Sequence, residues 1–326
     1  DREPPVSQNS GFLITKVEPR ESGANLRALI ETTKPGITRL VTITALVGFA
    51  LSALAHEAMP VWTLAISAGG TLLGTALSAS GANALNQWYE APRDALMKRT
   101  CSRPIPAGRV PPTTILWLGL LLSIVGALIL LFSCGPIPAG VSLMCVITYV
   151  LWYTPMKPSS AWSTLVGAIP GALPPLIGWT AAAPMQGAGA LLEPGGLALV
   201  ALMMVWQIPH FMAIAWMYRE DYARGGMRML PVIDPSGART AFVVLLTGVL
   251  LVGATIAPVF AMPGVLGWVS LSVATLSGLA FLWLCIRLAR ERTTKAARKV
   301  FFASIMHLPV LLIVMVGEAF VRVIVL

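Results

Sequence analysis

Long apolar runs alternate with short polar stretches along almost the whole chain. Nine runs are long enough to cross the hydrocarbon core of a membrane as helices. They cover residues 38–56, 61–88, 112–132, 137–153, 161–182, 195–217, 240–261, 264–286 and 300–325. Gly135, Pro136 and Pro138 favour a tight turn where the third and fourth runs nearly merge. The pattern predicts an all-α, polytopic membrane protein with nine transmembrane helices.

Lysine and arginine residues are distributed unevenly among the connections between these runs. The even-numbered connections contain all of them, and the odd-numbered connections contain none. Cytoplasmic loops of membrane proteins are enriched in these two residue types. We therefore expect the N-terminus and the even connections to face the cytoplasm or the mitochondrial matrix, and the C-terminus to face outside.

The composition supports the same protein class. Of 326 residues, 56% are hydrophobic and only 11% are charged, which excludes a soluble domain. The net charge of +9 comes from cations in short loops between apolar runs, so membrane lipid, and no nucleic acid, is the expected partner. Residues 1–35 are predicted to form a polar N-terminal head and an interfacial helix, and residues 36–326 a single transmembrane domain.

The first polar cluster extends from residue 86 to residue 109. Asn86, Glu90 and Asp94 are four residues apart, so their oxygens lie along one face of a helix that Pro92 bends or ends. Such oxygens match the ligands of a hard divalent cation. Cationic side chains that could bind a phosphate group lie between or after these three residues. They are Arg93, Lys98, Arg99, Arg103 and Arg109. The alternative is a basic membrane-flanking loop, which would explain the Lys and Arg residues but not the three oxygen-bearing side chains.

The second polar cluster follows the sixth run and contains Glu220 and Asp221. Four runs separate the two clusters, so both face the same side of the membrane. Two four-helix repeats plus a C-terminal helix around a central cavity would let them converge. Glu220 and Asp221 are therefore candidate partners of Glu90 and Asp94, with Asp221 as a metal ligand. The alternative is that they pair with neighbouring arginines in water.

Three further residues are candidates for the same site. Positions 210, 214, 217 and 221 share one helix face, so the His210 imidazole is expected to point toward the site from deeper in the membrane. A histidine inside a span needs a partner or a ligand, and His307 in the last run is a second candidate. Lys157, the one charge of the fourth connection, either neutralises phosphate oxygens or anchors the helix at the membrane surface.

These groups together suit a particular class of substrate. Mg²⁺ held by carboxylate and amide oxygens, with cations around it and an apolar cavity behind, fits a diphosphate head with a hydrocarbon tail. A prenyl diphosphate has this structure. The metal and cations would stabilise the departing diphosphate, and the dry cavity would shield an allylic carbocation from water. The sequence contains no nucleophilic triad, zinc-ligand spacing or phosphate-binding glycine loop.

Several motifs, spread over nearly all of the chain from about residue 26, also carry a resemblance. They are Glu31-Thr-Thr-Lys-Pro, the stretch 86–109, Tyr153-Thr-Pro-Met-Lys, the Gly- and Pro-rich stretch 166–179, Trp206-Gln-Ile-Pro-His-Phe and Arg219-Glu-Asp-Tyr. On these motifs the chain resembles the membrane prenyltransferase superfamily that makes ubiquinone and menaquinone precursors, and within it the branch that acts on heme.

The resemblance implies transfer of the farnesyl group of farnesyl diphosphate to a vinyl group of heme b, with addition of water, to give heme O. Mg²⁺ is the implied cofactor, and heme b is a substrate rather than a prosthetic group. Asn86, Glu90 and Asp94 match the first metal-diphosphate motif of the family, and Glu220 with Asp221 match the second. Glu90 stands where Asp is more frequent, which adds a methylene of reach.

His210 matches the histidine of the heme branch, and we expect it to orient the porphyrin or help deliver water. Trp206 and His307 are further candidates for binding the heme. Pro158 stands where a basic residue usually follows the lysine, so one diphosphate contact is missing. The implied location is the bacterial plasma membrane or the mitochondrial inner membrane, with heme A synthase or terminal oxidase assembly factors as candidate partners. Two alternatives stay open: a prenyltransferase acting on an aromatic acid or quinone precursor, and a secondary transporter for an anionic lipid or metabolite.

Overall fold

A computed structural model describes residues 25–325 as a bundle of α-helices. Within this range no β-strand is present beyond one isolated bridge between Pro263 and Leu266, so the all-α prediction is confirmed. Of the head and interfacial helix predicted for residues 1–35, residues 1–24 lie outside the described residues.

Fourteen α-helices follow one another between residues 25 and 325. They are α1 (Leu26–Thr32), α2 (Pro35–Ala55), α3 (Val61–Asp94), α4 (Pro112–Cys134), α5 (Pro136–Ile147), α6 (Thr154–Met156), α7 (Ser163–Ala172), α8 (Pro174–Ala182), α9 (Pro194–Met217), α10 (Arg219–Arg224), α11 (Leu230–Ile233), α12 (Ala238–Ala261), α13 (Trp268–Glu291) and α14 (Thr294–Phe320). A π-helical segment, Thr148–Tyr153, joins α5 to α6, and a second one, Val321–Val325, extends α14. A 3₁₀ segment, Pro184–Leu192, joins α8 to α9.

Nine apolar spans result from these helices in the described part of the chain, as predicted. Six are the single helices α2, α3, α4, α9, α12 and α13, and α14 with its π-helical extension is a seventh. The other two are composite: α5 through α6, and α7 with α8. The chain is therefore a multi-pass integral membrane protein. Their arrangement as two four-helix repeats plus a C-terminal helix, and the division into a head and one domain, stay predictions.

Glycines set the closest helix contacts in the bundle. A Cβ atom added at Gly81 of α3 would lie 2.6 Å from the Gly119 carbonyl oxygen of α4, so a larger residue there would push the helices apart. A Cβ at Gly178 of α8 would collide with the Ala45 carbonyl of α2. Small residues at such contacts allow the backbones to approach closely in a membrane, and this close packing fixes α3 beside α4 and α2 beside α8.

Two local features position polar groups at one end of the bundle. Helix α3 continues through Pro92 and ends at Asp94, which leaves the acidic groups on its last two turns. The Gln87 side chain of α3 donates hydrogen bonds to the Glu31 and Thr32 carbonyl oxygens, 3.2 and 3.1 Å away, and so holds α1 against α3. These contacts place the α1–α2 junction over the end of α3.

Candidate functional site

A cavity of about 440 Å³ lies among the helices, and its charged side chains gather at one end, called here the polar end. Its volume is typical of small-molecule sites. Ionisable side chains gather at the polar end: Lys34, Glu90, Asp94, Arg99, Arg103 and Lys157. The remaining wall is largely apolar, with Ile37, Val41, Ala79, Val146 and Ile177 among its residues. The cavity can therefore hold a molecule with a charged head and an apolar body.

Glu90 forms a buried ion pair with Lys157. The Lys157 Nζ and Glu90 Oε1 atoms are 2.7 Å apart, and both side chains are more than 85% buried. Burial alone would lower the pKa of Lys157, but the Glu90 carboxylate outweighs it, so the pKa lies well above the usual range. The Lys157 ammonium also lies 4.4 Å from the centre of the Tyr153 ring. The π-helical segment before α6 thus supplies both an aromatic face and a cation.

Asp94 is held by Arg103 but keeps one unused oxygen. The Arg103 Nη1 atom donates to Asp94 Oδ2 over 2.6 Å, and the Thr100 hydroxyl donates to the Asp94 backbone carbonyl over 2.9 Å. Asp94 Oδ1 is buried and accepts no hydrogen bond from any described residue. A buried carboxylate oxygen without a partner is costly in a structural role, which marks Asp94 as a candidate ligand-binding residue.

Asn86 links α3 to two other elements. Its Oδ1 accepts from Lys34 Nζ at 2.5 Å, and its Nδ2 donates to Thr154 Oγ1 at 3.0 Å. Burial, and to a smaller extent the nearby Arg103 guanidinium, lower the pKa of Lys34 to about 7. Lys34 also has a left-handed backbone, with φ 48°, at the start of α2. Its amine is therefore fixed at the polar end of the cavity.

The first acidic motif fits a divalent metal. Mg²⁺ prefers carboxylate and carbonyl oxygens, and Asn86, Glu90 and Asp94 provide such oxygens on successive turns of one helix. Asp94 Oδ1 is free to act as a ligand in the described structure. Glu90 and Asn86 would have to exchange their lysine contacts for the metal.

The second acidic motif is placed differently from the prediction. Glu220 and Asp221 line a separate depression and not the cavity that contains Glu90 and Asp94. Asp221 accepts from the Lys98 and Arg99 backbone amides at 2.9 and 3.0 Å, and from Arg224. Glu220 is exposed. Within residues 25–325, no three His, Cys, Asp or Glu side chains gather as a metal site.

Asp221 lies away from the cavity for two reasons. The helix is interrupted before it, and both of its carboxylate oxygens already accept hydrogen bonds. Tyr218 departs from helical geometry between α9 and α10, so the face shared by 210, 214 and 217 does not continue to 221. Burial would raise the pKa of Asp221, but the hydrogen bonds from Arg224 and the two amides outweigh it and lower the pKa. Asp221 thus stabilises the loop that carries Arg99, and its metal-ligand role stays a prediction.

The predicted basic residues divide into two groups. Arg99, Arg103 and Lys157 line the cavity. Arg93 instead donates to the Gly225 carbonyl over 3.4 Å, and Lys98 lines the separate depression near Asp221.

His210 lies on the face of α9 that packs against α14, not on the cavity wall. Its Nδ1 is 2.7 Å from the Ser304 hydroxyl, and its ring stacks with Trp206 and with Phe301. The cavity side of α9 presents Gln207, Phe211 and Ile214 instead.

His307 is buried and lies 5.6 Å from the Phe281 ring, centre to centre. Neither of its nitrogens has a hydrogen-bond partner in the described structure. No ring contact or hydrogen bond among residues 25–325 joins His307 to His210.

Sequence reasoning missed three residues of the polar end, namely Tyr149, Tyr153 and Lys34. Tyr149, Tyr153 and Lys157 are spaced by four residues, a helical pattern that could have placed both tyrosines beside the lysine. Lys34 carried no such signal, because its position depends on how α1 and α2 fold over α3. In the sequence it belongs to the Glu31-Thr-Thr-Lys-Pro motif before the first span, and that motif alone does not place its amine beside Asn86.

Comparisons with known proteins identify the family of the chain. The UbiA prenyltransferase family matches residues 41–307. A protoheme IX farnesyltransferase of Solibacter usitatus is 41% identical over 88% of this chain and 96% of its own length.

Two solved structures share the fold. A digeranylgeranylglyceryl phosphate synthase has a TM-score of 0.72 at 15% identity, covering 90% of this chain and 98% of its own. A UbiA homologue from Archaeoglobus fulgidus bound to DMAPP and Mg²⁺ has a TM-score of 0.55 at 12% identity, covering 92% and 100%. From the extent of the family match and the identity to the Solibacter relative, this chain belongs to the UbiA prenyltransferase family.

Proposed function

We propose that the protein transfers the farnesyl group of farnesyl diphosphate to a vinyl group of heme b, with addition of water, giving heme O and diphosphate. The acceptor and the prenyl group follow from the relative that is 41% identical and is a protoheme IX farnesyltransferase. The match covers 88% of this chain and 96% of that relative.

The observation that carries the proposal is the cavity with its single polar end. Four cationic side chains and two carboxylates lie at that end, and the remaining wall is largely apolar. This division matches a diphosphate attached to a hydrocarbon tail. An alkyl chain gains roughly 0.8 kcal/mol per buried CH₂ group, so the apolar wall would contribute strongly to binding of the farnesyl tail.

Asn86, Glu90 and Asp94 would hold Mg²⁺, as the oxygen ligands of their motif suggest. The metal, when bound, supplies positive charge to the diphosphate oxygens. A relative of the same fold is bound to DMAPP and Mg²⁺, which supports this cofactor.

The cavity cations would stabilise the negative charge that develops on the leaving diphosphate. Arg99, Arg103 and Lys157 were expected in this role, and Lys34 joins them. Preorganised charges of this kind are most effective where water is excluded. Asp221 would act as a positioning residue, since it fixes the Arg99 backbone.

Tyr149 and Tyr153 would face the carbon from which the diphosphate departs. Their rings lie 5.5 Å apart, centre to centre, and both line the cavity. Aromatic faces attract cations, and the apolar wall would keep water from an allylic cation until the acceptor vinyl group has reacted.

The proposed location is the bacterial plasma membrane or the mitochondrial inner membrane. The polar end of the cavity would face the cytoplasm or matrix, because its cations belong to connections that carry Lys and Arg. Proteins that use heme O, such as heme A synthase or terminal oxidase assembly factors, are proposed as partners because they would act on the product of this reaction.

The test is a parallel assay of purified protein with farnesyl diphosphate and Mg²⁺, offering either heme b or 4-hydroxybenzoate. Farnesylation of heme alone is the expected result. Prenylation of the aromatic acid with heme unchanged would instead assign the protein to the quinone branch of the family.

A further inference from the structure

The Gln207 side chain of α9 has a fixed orientation at the cavity wall. Its Nε2 atom donates to the Ala168 carbonyl oxygen of α7 over 2.8 Å and to the Met203 carbonyl oxygen over 3.0 Å. Both carbonyls can only accept, so the amide nitrogen must face them and the amide cannot be turned over. The Oε1 atom therefore lies on the other side of the amide, and no donor among residues 25–325 bonds to it.

Gly171 of α7 makes room for this oxygen. A Cβ atom added at Gly171 would collide with Gln207 Oε1, so one of the two groups would have to move. Both residues line the cavity, and Gln207 is buried. The amide oxygen thus lies against the bare backbone of α7 at the cavity wall.

The backbone of α7 adds two further acceptors around Gly171. In a regular helix, the carbonyl oxygens of Pro170 and Gly171 would bond to the amides four residues later, which here belong to Pro174 and Pro175. Proline has no amide hydrogen, and neither carbonyl accepts a hydrogen bond from another group in the described part of the chain. Three acceptor oxygens without a donor are therefore found at this part of the wall.

Acceptors without donors indicate the kind of molecule that binds beside them. A buried acceptor that stays unpaired costs free energy. Water donates two hydrogen bonds, and a buried water molecule typically makes about three in total. An anion such as phosphate needs donors or cations, which these three oxygens do not provide. The group around Gly171 therefore suits a water molecule.

The position is close to the reacting carbon of the proposed function. Gly167 lies one helical turn before Gly171, and a Cβ atom added there would lie 2.5 Å from the Tyr153 ring. Successive turns of α7, about 5–6 Å apart, thus contact Tyr153 and Gln207. Tyr153 is assigned to the carbon from which the diphosphate departs, so water bound beside Gln207 lies about one helical turn from that carbon.

We propose that Gln207 Oε1, with the free carbonyl oxygens of α7, binds the water molecule that the reaction adds to heme, and that Gly171 is a positioning residue for this oxygen. The inference rests on the proposed function, because it takes farnesylation of a heme vinyl group as the reaction. It adds the residues that hold the second reactant of that reaction.

The atoms and charges of this step balance. The terminal vinyl carbon bonds to the farnesyl carbon as the bond from that carbon to the diphosphate oxygen breaks, which leaves a cation on the vinyl carbon next to the porphyrin. The water oxygen donates a lone pair to this cation and forms the hydroxyl group. One water proton is released, and the departed diphosphate accepts it. Because the bound water directs its hydrogens to fixed oxygens, a lone pair stays available for the cation.

The test separates hydration from farnesyl transfer. Without a positioned water molecule, the same cation loses a proton from the neighbouring carbon and gives an alkene, which is lighter than the hydroxylated product by one water. Purified protein is incubated with farnesyl diphosphate, Mg²⁺ and heme b, and the two products are separated by chromatography and measured by mass spectrometry. Wild-type protein is expected to give the hydroxylated product.

Two variants remove or displace the amide oxygen. Gln207→Met keeps a side chain of similar length without the amide, and it is expected to lower the ratio of hydroxylated product to alkene roughly 10-fold, because a hydrogen bond to the water is lost. Gly171→Ala is expected to lower the same ratio, since its Cβ displaces Gln207 Oε1. A merely structural role of Gln207 would lower both products together and leave the ratio unchanged.

Two other glycine variants serve as controls. Gly167→Ala displaces the Tyr153 ring instead, so it is expected to reduce the total amount of product and to keep the wild-type ratio. Gly253→Ala adds a Cβ atom in open space on α12 and is expected to match wild type in both measurements. Binding of a farnesyl diphosphate analogue by each variant shows that it has folded.

The possible outcomes separate the two proposals. If wild-type protein hydroxylates and farnesylates heme and folded Gln207→Met and Gly171→Ala keep its product ratio, the water site is overturned and the proposed function stands. A change of the ratio in Gly167→Ala as large as in Gly171→Ala also overturns the site, because packing on α7 would then set the ratio. If wild-type protein leaves heme unmodified, the proposed function fails and this inference fails with it.

Discussion

The Lys34 Nζ atom lies 2.5 Å from the Asn86 Oδ1 atom, although the two residues are 52 positions apart in the chain. Lys34 has a left-handed backbone, which costs a non-glycine residue roughly 1–3 kcal/mol. The hydrogen bonds from Gln87 to the Glu31 and Thr32 carbonyls hold the preceding helix in place. The strained junction therefore delivers a cation to the first acidic motif.

Lys34→Met is expected to weaken binding of a farnesyl diphosphate analogue by roughly 10- to 100-fold, because a charge-assisted contact to phosphate is lost. Isothermal titration calorimetry checks this. Arg39→Met, which removes an exposed cation from the same helix, is expected to bind normally. Equal affinity of the Lys34 variant and wild type would remove Lys34 from the diphosphate site.

Lys34→Gly separates the charge from the backbone strain. Glycine adopts the left-handed region without penalty, so this variant should unfold at a higher temperature than Lys34→Met while binding the analogue equally weakly. A thermal melt and a titration on the same preparations test the two effects. Normal binding by the glycine variant would show that the lysine amine is not needed.

The neighbouring acidic residues Glu220 and Asp221 are expected to behave differently. Asp221→Asn should raise KM for farnesyl diphosphate about 10-fold, since it weakens the contacts to the Lys98 and Arg99 amides. Glu220→Gln should stay within about twofold of wild type, because Glu220 is exposed and ordinary surface substitutions have small effects. Steady-state kinetics with both variants decides. A severe loss of kcat in Glu220→Gln would instead support the prediction that Glu220 acts together with Glu90 and Asp94.

Asp94→Asn is expected to reduce turnover roughly 100-fold or more, because it removes a carboxylate from the proposed metal site and leaves Arg103 unpaired. The protein should still be recovered folded from the membrane. Glu31→Gln is the matched control, since its ion pair with Arg109 is exposed. Near-normal turnover of Asp94→Asn would show that Asp94 only forms a structural ion pair with Arg103.

Glu90 and Lys157 should show strong coupling in stability. Removing either partner of a buried ion pair typically costs roughly 3–5 kcal/mol, because the other charge is left uncompensated. We therefore expect Glu90→Gln and Lys157→Met each to lower the unfolding temperature, and the double variant to be more stable than the sum of the two effects. Thermal unfolding in detergent measures this. Additive effects would mean that the two side chains do not interact in the protein.

The helical fold could be predicted well from the sequence because spans in a membrane depend on local chemistry. Backbone groups in hydrocarbon must bond within their own segment, so each apolar run forms a helix regardless of its neighbours. Pro92 was predicted to bend or end its helix, and α3 instead continues through Pro92 and ends two residues later, at Asp94. The π-helical segment before α6 was not predicted, because it has no distinctive periodicity.

The site was predicted only in part. The four-residue spacing of Asn86, Glu90 and Asp94 depends on one helix, and the structure keeps all three at its end. The position of Asp221 depends on whether the helix continues through Tyr218. The helix breaks there, and Asp221 instead contacts the loop at Lys98. The direction of the His210 side chain depends on the rotation of α9 about its axis. Packing against α14 determines this rotation, and the sequence alone does not show it.

The central claim is most directly tested by the mass of the heme product. Purified protein is incubated with farnesyl diphosphate, Mg²⁺ and heme b in water enriched in ¹⁸O, and the heme is extracted for mass spectrometry. We predict a product heavier than heme b by one farnesyl group and one hydroxyl group, with the hydroxyl carrying the ¹⁸O label, and formed by wild type but not by Asp94→Asn. Unmodified heme, under conditions where the protein prenylates another acceptor, would contradict the account.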